Sequence, residues 1–247
     1  MVLLKLILLF DPTILEIQMI NANSSLENFQ ELNRKIYTVT NDRSYSIERM
    51  CGHIHRHITQ VLKAVRKEKH DNTMYHLCMA FSWAMAILNR FHVELANDMW
   101  HRFPGLCPYC LCAPCSCKER PLERHRLEGK SKGEKPISLR DWQLMFAKIY
   151  PNSVIESAIH LAEEAGEVDE ALQNYSTTHK NDWFWKAVEE LVDAITNIFG
   201  VANCLNLDLA DGLAGFFANG CPKCCHSPCD CDYVTVDQPL PLRKRVD

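Results

Sequence analysis

Apolar residues in the second half of the chain return every three or four positions. They fall at Ile155, Ile159, Leu161, Ala162, Ala165, Val168, Ala171 and Leu172, and again at Ala187, Val188, Leu191, Ala194, Ile195, Ile198, Val201 and Ala202. That spacing lines one face of a helix, and no strand-like alternation competes with it. Ser138 and the Pro151–Asn152–Ser153 run supply start signals. The pattern predicts helices over 138–150, 154–174, 182–204 and 206–218, and an all-α class.

The first half carries the same pattern. SLENFQELNRKIY (25–37) lies over SLRDWQLMFAKIY (138–150), with Phe29 facing Trp142. After one inserted residue the step becomes 114 and stays there: Gly52 meets Gly166, Leu77 meets Leu191, Asn89 meets Asn203, and Leu95–Ala96 meets Leu209–Ala210. A constant step over so long a stretch predicts two tandem helical copies, 25–117 and 138–231, with four helices each. They are joined by a charged linker, 118–137, preceded by an extension, 1–24, and followed by a tail, 232–247.

Both copies end in the same cysteine pattern, C-P-x-C-x4-C-x-C. It comprises Cys107, Cys110, Cys115 and Cys117, then Cys221, Cys224, Cys229 and Cys231. A CxxC turn aims two sulfurs at one ion, and four thiolates satisfy tetrahedral Zn²⁺. Structural zinc is the favoured reading, with disulfides or an iron–sulfur cluster as alternatives. Cys112, Cys225 and His226 are spare ligands, while Cys51, Cys78 and Cys204 read as buried helix residues.

Net charge of -4 and a pI near 6.3 exclude a general nucleic-acid coat or a membrane-surface protein. The residues around the cysteine knuckles are not basic, so nucleic acid is not an expected partner. The apolar start VLLKLILLF is too short to cross a bilayer, contains Lys5 and lacks a clear small-residue cleavage site. It is expected to pack as a helix or strand, or to precede a true start at Met19, in a cytoplasmic protein without a membrane partner; a weak signal peptide is the alternative.

The stretch HLAEEAGEVDEAL (160–172) crowds Glu163, Glu164, Glu167, Asp169 and Glu170 onto one helix. Like charges three or four residues apart oppose helix formation by a few tenths of a kcal/mol per pair. Glu164 and Glu167 share a helix face, and so do Glu190 and Asp193 on the next helix. Either pair alone reads as a solvated surface. Together, flanking the apolar stripes of consecutive helices, they converge as oxygen donors for a hard cation, Mg²⁺ or Mn²⁺, which would relieve the repulsion.

At the step of 114, Glu163, Glu164, Glu167, Glu190 and Asp193 become Arg49, Met50, His53, His76 and Met79. The first copy therefore keeps the apolar skeleton and loses the acids. His53, His55, His57 and His76 read as ordinary surface or core residues rather than as a softer metal site.

The series Glu164-Ala-Gly-Glu167 followed by Glu190-Leu-Val-Asp193, with Glu163 in front, resembles the ExxE…ExxD signature of the MazG-like all-α nucleoside triphosphate pyrophosphohydrolases. The resemblance covers about 138–213. It implies Mg²⁺-dependent cleavage between the α and β phosphates, with a role in cleaning the nucleotide pool. Glu164, Glu167, Glu190 and Asp193 would hold the metal, and Glu163 would add a ligand or orient the attacking water. Lys180 and Lys186 would meet the polyphosphate, and Asn197 and Asn203 the sugar or base. The family's dimeric habit implies a fused pseudo-dimer bundle in which the first copy is scaffold, with Trp83, Phe81 or Phe91 as candidate pocket walls, and a homo-oligomer of such chains. The rival readings are a non-catalytic nucleotide and metal sensor, or a zinc-bearing interaction module.

Overall fold

The computed structural model describes residues 20–117 and 131–232. The expectations for the apolar start, for most of the linker and for the tail lie outside the described residues. Among the described residues the protein is all-helical, with eight α-helices. These are α1 (Leu26–Ser44), α2 (Ile47–Lys67), α3 (Thr73–Arg90), α4 (Leu95–Arg102), α5 (Leu139–Ile149), α6 (Val154–Thr178), α7 (Asn181–Cys204) and α8 (Leu209–Phe217).

Local chemistry sets most of the boundaries. Ser25, Ser138 and Ser153 each accept a hydrogen bond from the backbone N–H three residues on. Asn28, Asp141 and Glu156 return the bond to the cap, so α1, α5 and α6 all open with reciprocal capping. α6 runs four residues beyond the expected end at 174. Thr177 and Thr178 extend it with hydroxyls that donate to the carbonyls four residues back. α8 starts later than expected, because Asn206 takes φ 53° and Asp208 then caps the helix through the Asp211 N–H.

α2 pairs with α3 and α6 with α7; α2 then lies on α6 and α3 on α7. α1 covers α3 and α5 covers α7. The short helices cross over, since α4 touches α7 and α8 touches α3. One continuous apolar core results. Phe81 meets Phe199 at 5.6 Å between ring centroids, Phe29 meets Phe217 at 5.5 Å, and Phe103 meets Phe146 at 5.4 Å. Each of these fully or almost fully buried side chains contributes about 1.5–3 kcal/mol by leaving water. Ile155 and Ile159 are an exception to the expected apolar face, being 62% and 53% exposed. The packed stripe of α6 is Leu161, Ala165, Val168, Ala171 and Leu172.

A polar network recurs in both stretches. Gln30 accepts from the Leu95 N–H at 3.0 Å and donates to the Val93 carbonyl at 2.7 Å. Gln143 accepts from the Leu209 N–H at 3.0 Å and donates to the Leu207 carbonyl at 2.7 Å. Each glutamine thus satisfies the backbone where α4 or α8 begins, which fixes the turn before it. Among the described residues, no helix is long and apolar enough to cross a membrane.

Candidate metal centre

The α6–α7 hairpin, joined by only two residues, presents its carboxylates to a common point. Glu190 and Asp193 are 1% and 8% exposed. One carboxylate oxygen from each of Glu164, Glu190 and Asp193 lies within 4.8 Å of the other two. Glu167 is exposed one turn along and faces Glu190 from the rim. Glu163 points outward beside His160, at 3.9 Å, so the structure does not bring it into the cluster. Its position on α6 places it on the solvent side of the stripe that holds Glu164.

Crowding and burial raise the proton affinity of these acids. Burial, then the charges of Asp193, Glu190 and Glu167, push Glu164 up to about 9. Burial lifts Asp193 to about 6 against the opposing pull of Arg102. Glu167 is also raised, by burial and by Glu190. Glu164 Oε2 is buried without a hydrogen-bond partner. A buried carboxylate oxygen with no donor is costly, so this site either holds a proton or accepts a cation. An all-oxygen donor set suits Mg²⁺ or Mn²⁺.

Two basic groups complete the cluster, and the sequence pointed to only one of them. Lys186 forms an ion pair with Glu190 one turn along α7. Although burial opposes it, that bond raises the ammonium above its ordinary value. Arg102 arrives from the end of α4. Its Nε and Nη2 donate to the two carboxylate oxygens of Asp193, and its Nη1 lies 3.4 Å from Glu189. Only 6% of Arg102 is exposed, and these acids hold it firmly protonated against the cost of its burial. Both Asp193 oxygens accept from Arg102, so a cation at Asp193 would use a remaining lone pair or displace one of those bonds. The three carboxylates could hold a cation, which would compete with Lys186 at Glu190 and with Arg102 at Asp193.

The other predicted contacts fall elsewhere. Lys180 is the exposed N-cap position of α7. Asn197 donates to the Asp193 carbonyl at 3.1 Å within its own helix. Asn203 donates to the Gln143 carbonyl at 3.0 Å and belongs to the polar network around Gln143. Each bond engages one of the two amide hydrogens in structure. Of the three candidate pocket walls, Phe81 is wholly buried in the core and Trp83 stacks on His53 at 4.3 Å. Phe91 instead crosses to Tyr175 and Phe184, at 5.6 and 5.0 Å.

Of the first-stretch counterparts of the acids, Met50, His53 and Met79 are packed away, His76 is half-buried and Arg49 is exposed. Met50 and Met79 are buried, and His76 faces His57 with 3.0 Å between their Nδ1 atoms. Burial and then His76 depress His57 to about 3, so this pair shares a neutral hydrogen bond.

The eight knuckle cysteines converge as two groups of four, all as free thiols. In the first, Cys107 lies 3.5 Å from both Cys115 and Cys117, and Cys110 lies 3.9 Å from Cys115. In the second, Cys221 lies 3.9 Å from Cys231 and Cys224 lies 3.8 Å from Cys229. Either group could hold structural zinc. The hydrogen bond from Cys229 lowers Cys221, while Cys229 is raised, an uneven sharing of protons that a bound cation would end. Cys112 instead donates to the Cys110 carbonyl, and His226 pairs with Asp230 at 2.6 Å. Each knuckle rests on the opposite stretch: Cys115 N–H donates to the Ile149 carbonyl and Cys229 N–H to the Ile36 carbonyl, both at 2.7 Å.

No protein-family model, no curated protein and no solved structure matches this chain.

Proposed function

We propose that the protein is a Mg²⁺-dependent nucleoside triphosphate pyrophosphohydrolase of the MazG-like kind, acting through its second stretch. The observation that carries this reading is the cluster of half-buried Glu164 with buried Glu190 and Asp193, with an unpartnered Glu164 oxygen, on adjacent helices. Arg102 and Lys186 supply two positive charges to three clustered carboxylates, and the unpartnered Glu164 oxygen is the place a further cation would serve. Mg²⁺ bound there would activate water and neutralise charge on the departing phosphates. Hydrolysis forms one bond from water oxygen to the α phosphorus and breaks the α–β bridge, giving a monophosphate and pyrophosphate.

The chain's own residues divide the remaining work. Glu164, Glu190 and Asp193 would hold the cation, with Glu167 at the rim and Arg102 orienting Asp193. Arg102 and Lys186 are the cations that polyphosphate would attract once they leave their carboxylates. Phe91 is the first-stretch aromatic placed to form a wall. The two stretches then act as a fused pseudo-dimer, supported by the crossing of α4 and α8, the recurrent glutamine network and the exchanged knuckle contacts. The exposed Ile155 and Ile159 on α6 supply a face for a homo-oligomer.

Hydrolysis in heavy-oxygen water followed by phosphorus NMR tests the reading. The label is expected in the monophosphate; label in pyrophosphate would refute attack at the α phosphorus, and label in orthophosphate would refute the α–β cut. A second reading, a nucleotide and metal sensor without turnover or a zinc-bearing interaction module, is favoured by one observation. Arg102 occupies both oxygens of Asp193, as a structural ion pair would. Mg²⁺-dependent nucleotide binding without product would decide for the sensor.

A further inference from the structure

Beyond the acids and the knuckles, α2 and α6 bring a third set of metal-binding side chains together. Cys51 and His55 lie one turn apart on α2, and Asp169 reaches them from α6. One ligand atom from each, the Cys51 sulfur, a His55 ring nitrogen and an Asp169 oxygen, lies within 4.8 Å of the other two. Cys51 is wholly buried, and His55 Nε2 is buried without a hydrogen-bond partner. A buried ring nitrogen with no partner calls for an explanation, and a cation is a ligand that this donor set fits. Asp169 is held from outside the cluster by Gln173, whose Nε2 donates to Oδ2 at 2.9 Å. Such a bond to a ligating carboxylate orients it for a metal.

We propose that Cys51, His55 and Asp169 form a binding site for a borderline transition-metal ion, Zn²⁺ in the first place. Sulfur, imidazole and carboxylate together exclude Mg²⁺ and Ca²⁺, which take oxygen. Around one zinc, at bond lengths of about 2.0–2.3 Å, ligand atoms lie roughly 3–4 Å apart, so small side-chain movements close this group on the ion. Three protein ligands leave the fourth position to water or to an added ligand. The ion would tie α2 of the first stretch to α6 of the second. It is separate from the acid cluster, because Asp169 leaves α6 towards α2 whereas Glu164 leaves it towards α7.

The test uses the full chain with both knuckles filled by stoichiometric zinc, then titrated with Co²⁺. A thiolate-to-cobalt absorption band is expected at one further equivalent, since the acid cluster has no sulfur and cannot produce it. The band should vanish in Cys51→Ser and in His55→Ala, and Zn²⁺ should raise the melting temperature of the wild type but not of His55→Ala. Asp169→Asn, at a half-buried position, keeps the test decisive if the Cys51 variant does not fold; it should weaken Co²⁺ binding at least tenfold. Absence of the band from the wild type, or a band that persists in His55→Ala and Asp169→Asn, would overturn the site.

Discussion

At the scale of single residues, the acid cluster is defined by what its members lack. Glu164 has a buried oxygen without a donor, and burial with neighbouring charge pushes its proton affinity up to about 9. A raised carboxylate favours the folded state fully below its unfolded value near 4.5, and that contribution is lost as pH rises through about 9. Without divalent metal, stability should therefore fall between those limits, by up to about 1.4 kcal/mol per pH unit for one proton. Urea melts across pH should show this slope, and Glu164→Gln or added Mg²⁺ should flatten it. A slope unchanged in Glu164→Gln would remove that residue as its source. Arg102 makes an equally specific prediction. Arg102→Met strands Asp193 and should cost about 3–5 kcal/mol in metal-free protein, as measured by the same melts. Mg²⁺ should restore much of that loss, because Asp193 is then free to bind it. Neither role was legible in advance in full. Glu164, Glu190 and Asp193 announced themselves by helical spacing, whereas Arg102 lies 91 residues from Asp193 and nothing local marks it. Cys51 was likewise read as an ordinary core thiol, since Asp169 approaches it from another helix.

At the scale of helices, local signals carried far. The serine caps, the 3.6-residue period and the two-residue α6–α7 turn are short-range features, and they locate α5, α6 and α7 to within a few residues. Errors arose where a long-range contact decided the outcome. Ile155 and Ile159 fit the period but are largely exposed, and Asn203 bonds to the backbone of α5. The approach of α8 to α3 is similarly invisible in one sequence. A Cβ on Gly212 would lie 2.3 Å from Met74 Sδ and 3.0 Å from Cys78 Sγ. Gly212→Val should therefore push α8 off α3 and cost about 1–3 kcal/mol in chemical denaturation. An unchanged midpoint would show that Met74 yields without loss.

At the scale of the molecule, the knuckles and the crossing helices make the two stretches interdependent. Because zinc binding to four cysteines is also folding free energy, stripping zinc with a chelator should lower the melting temperature sharply. Cys221→Ser should lose one zinc per chain by elemental analysis and destabilise by about 4 kcal/mol or more. Since Cys229 also anchors to the Ile36 carbonyl, α1 of the opposite stretch should lose hydrogen-exchange protection with it. The exchange of contacts between the two stretches, Cys115 to Ile149 and Cys229 to Ile36, could not be read from the sequence. The most direct measurement of the central claim is pyrophosphate release from a panel of nucleoside triphosphates, with and without Mg²⁺, by the wild type and Glu164→Gln. Metal-dependent release that falls at least a hundredfold in the variant is the predicted result. No release from any triphosphate, or release that the variant leaves intact, would contradict the assignment of the carboxylate cluster as a hydrolytic centre.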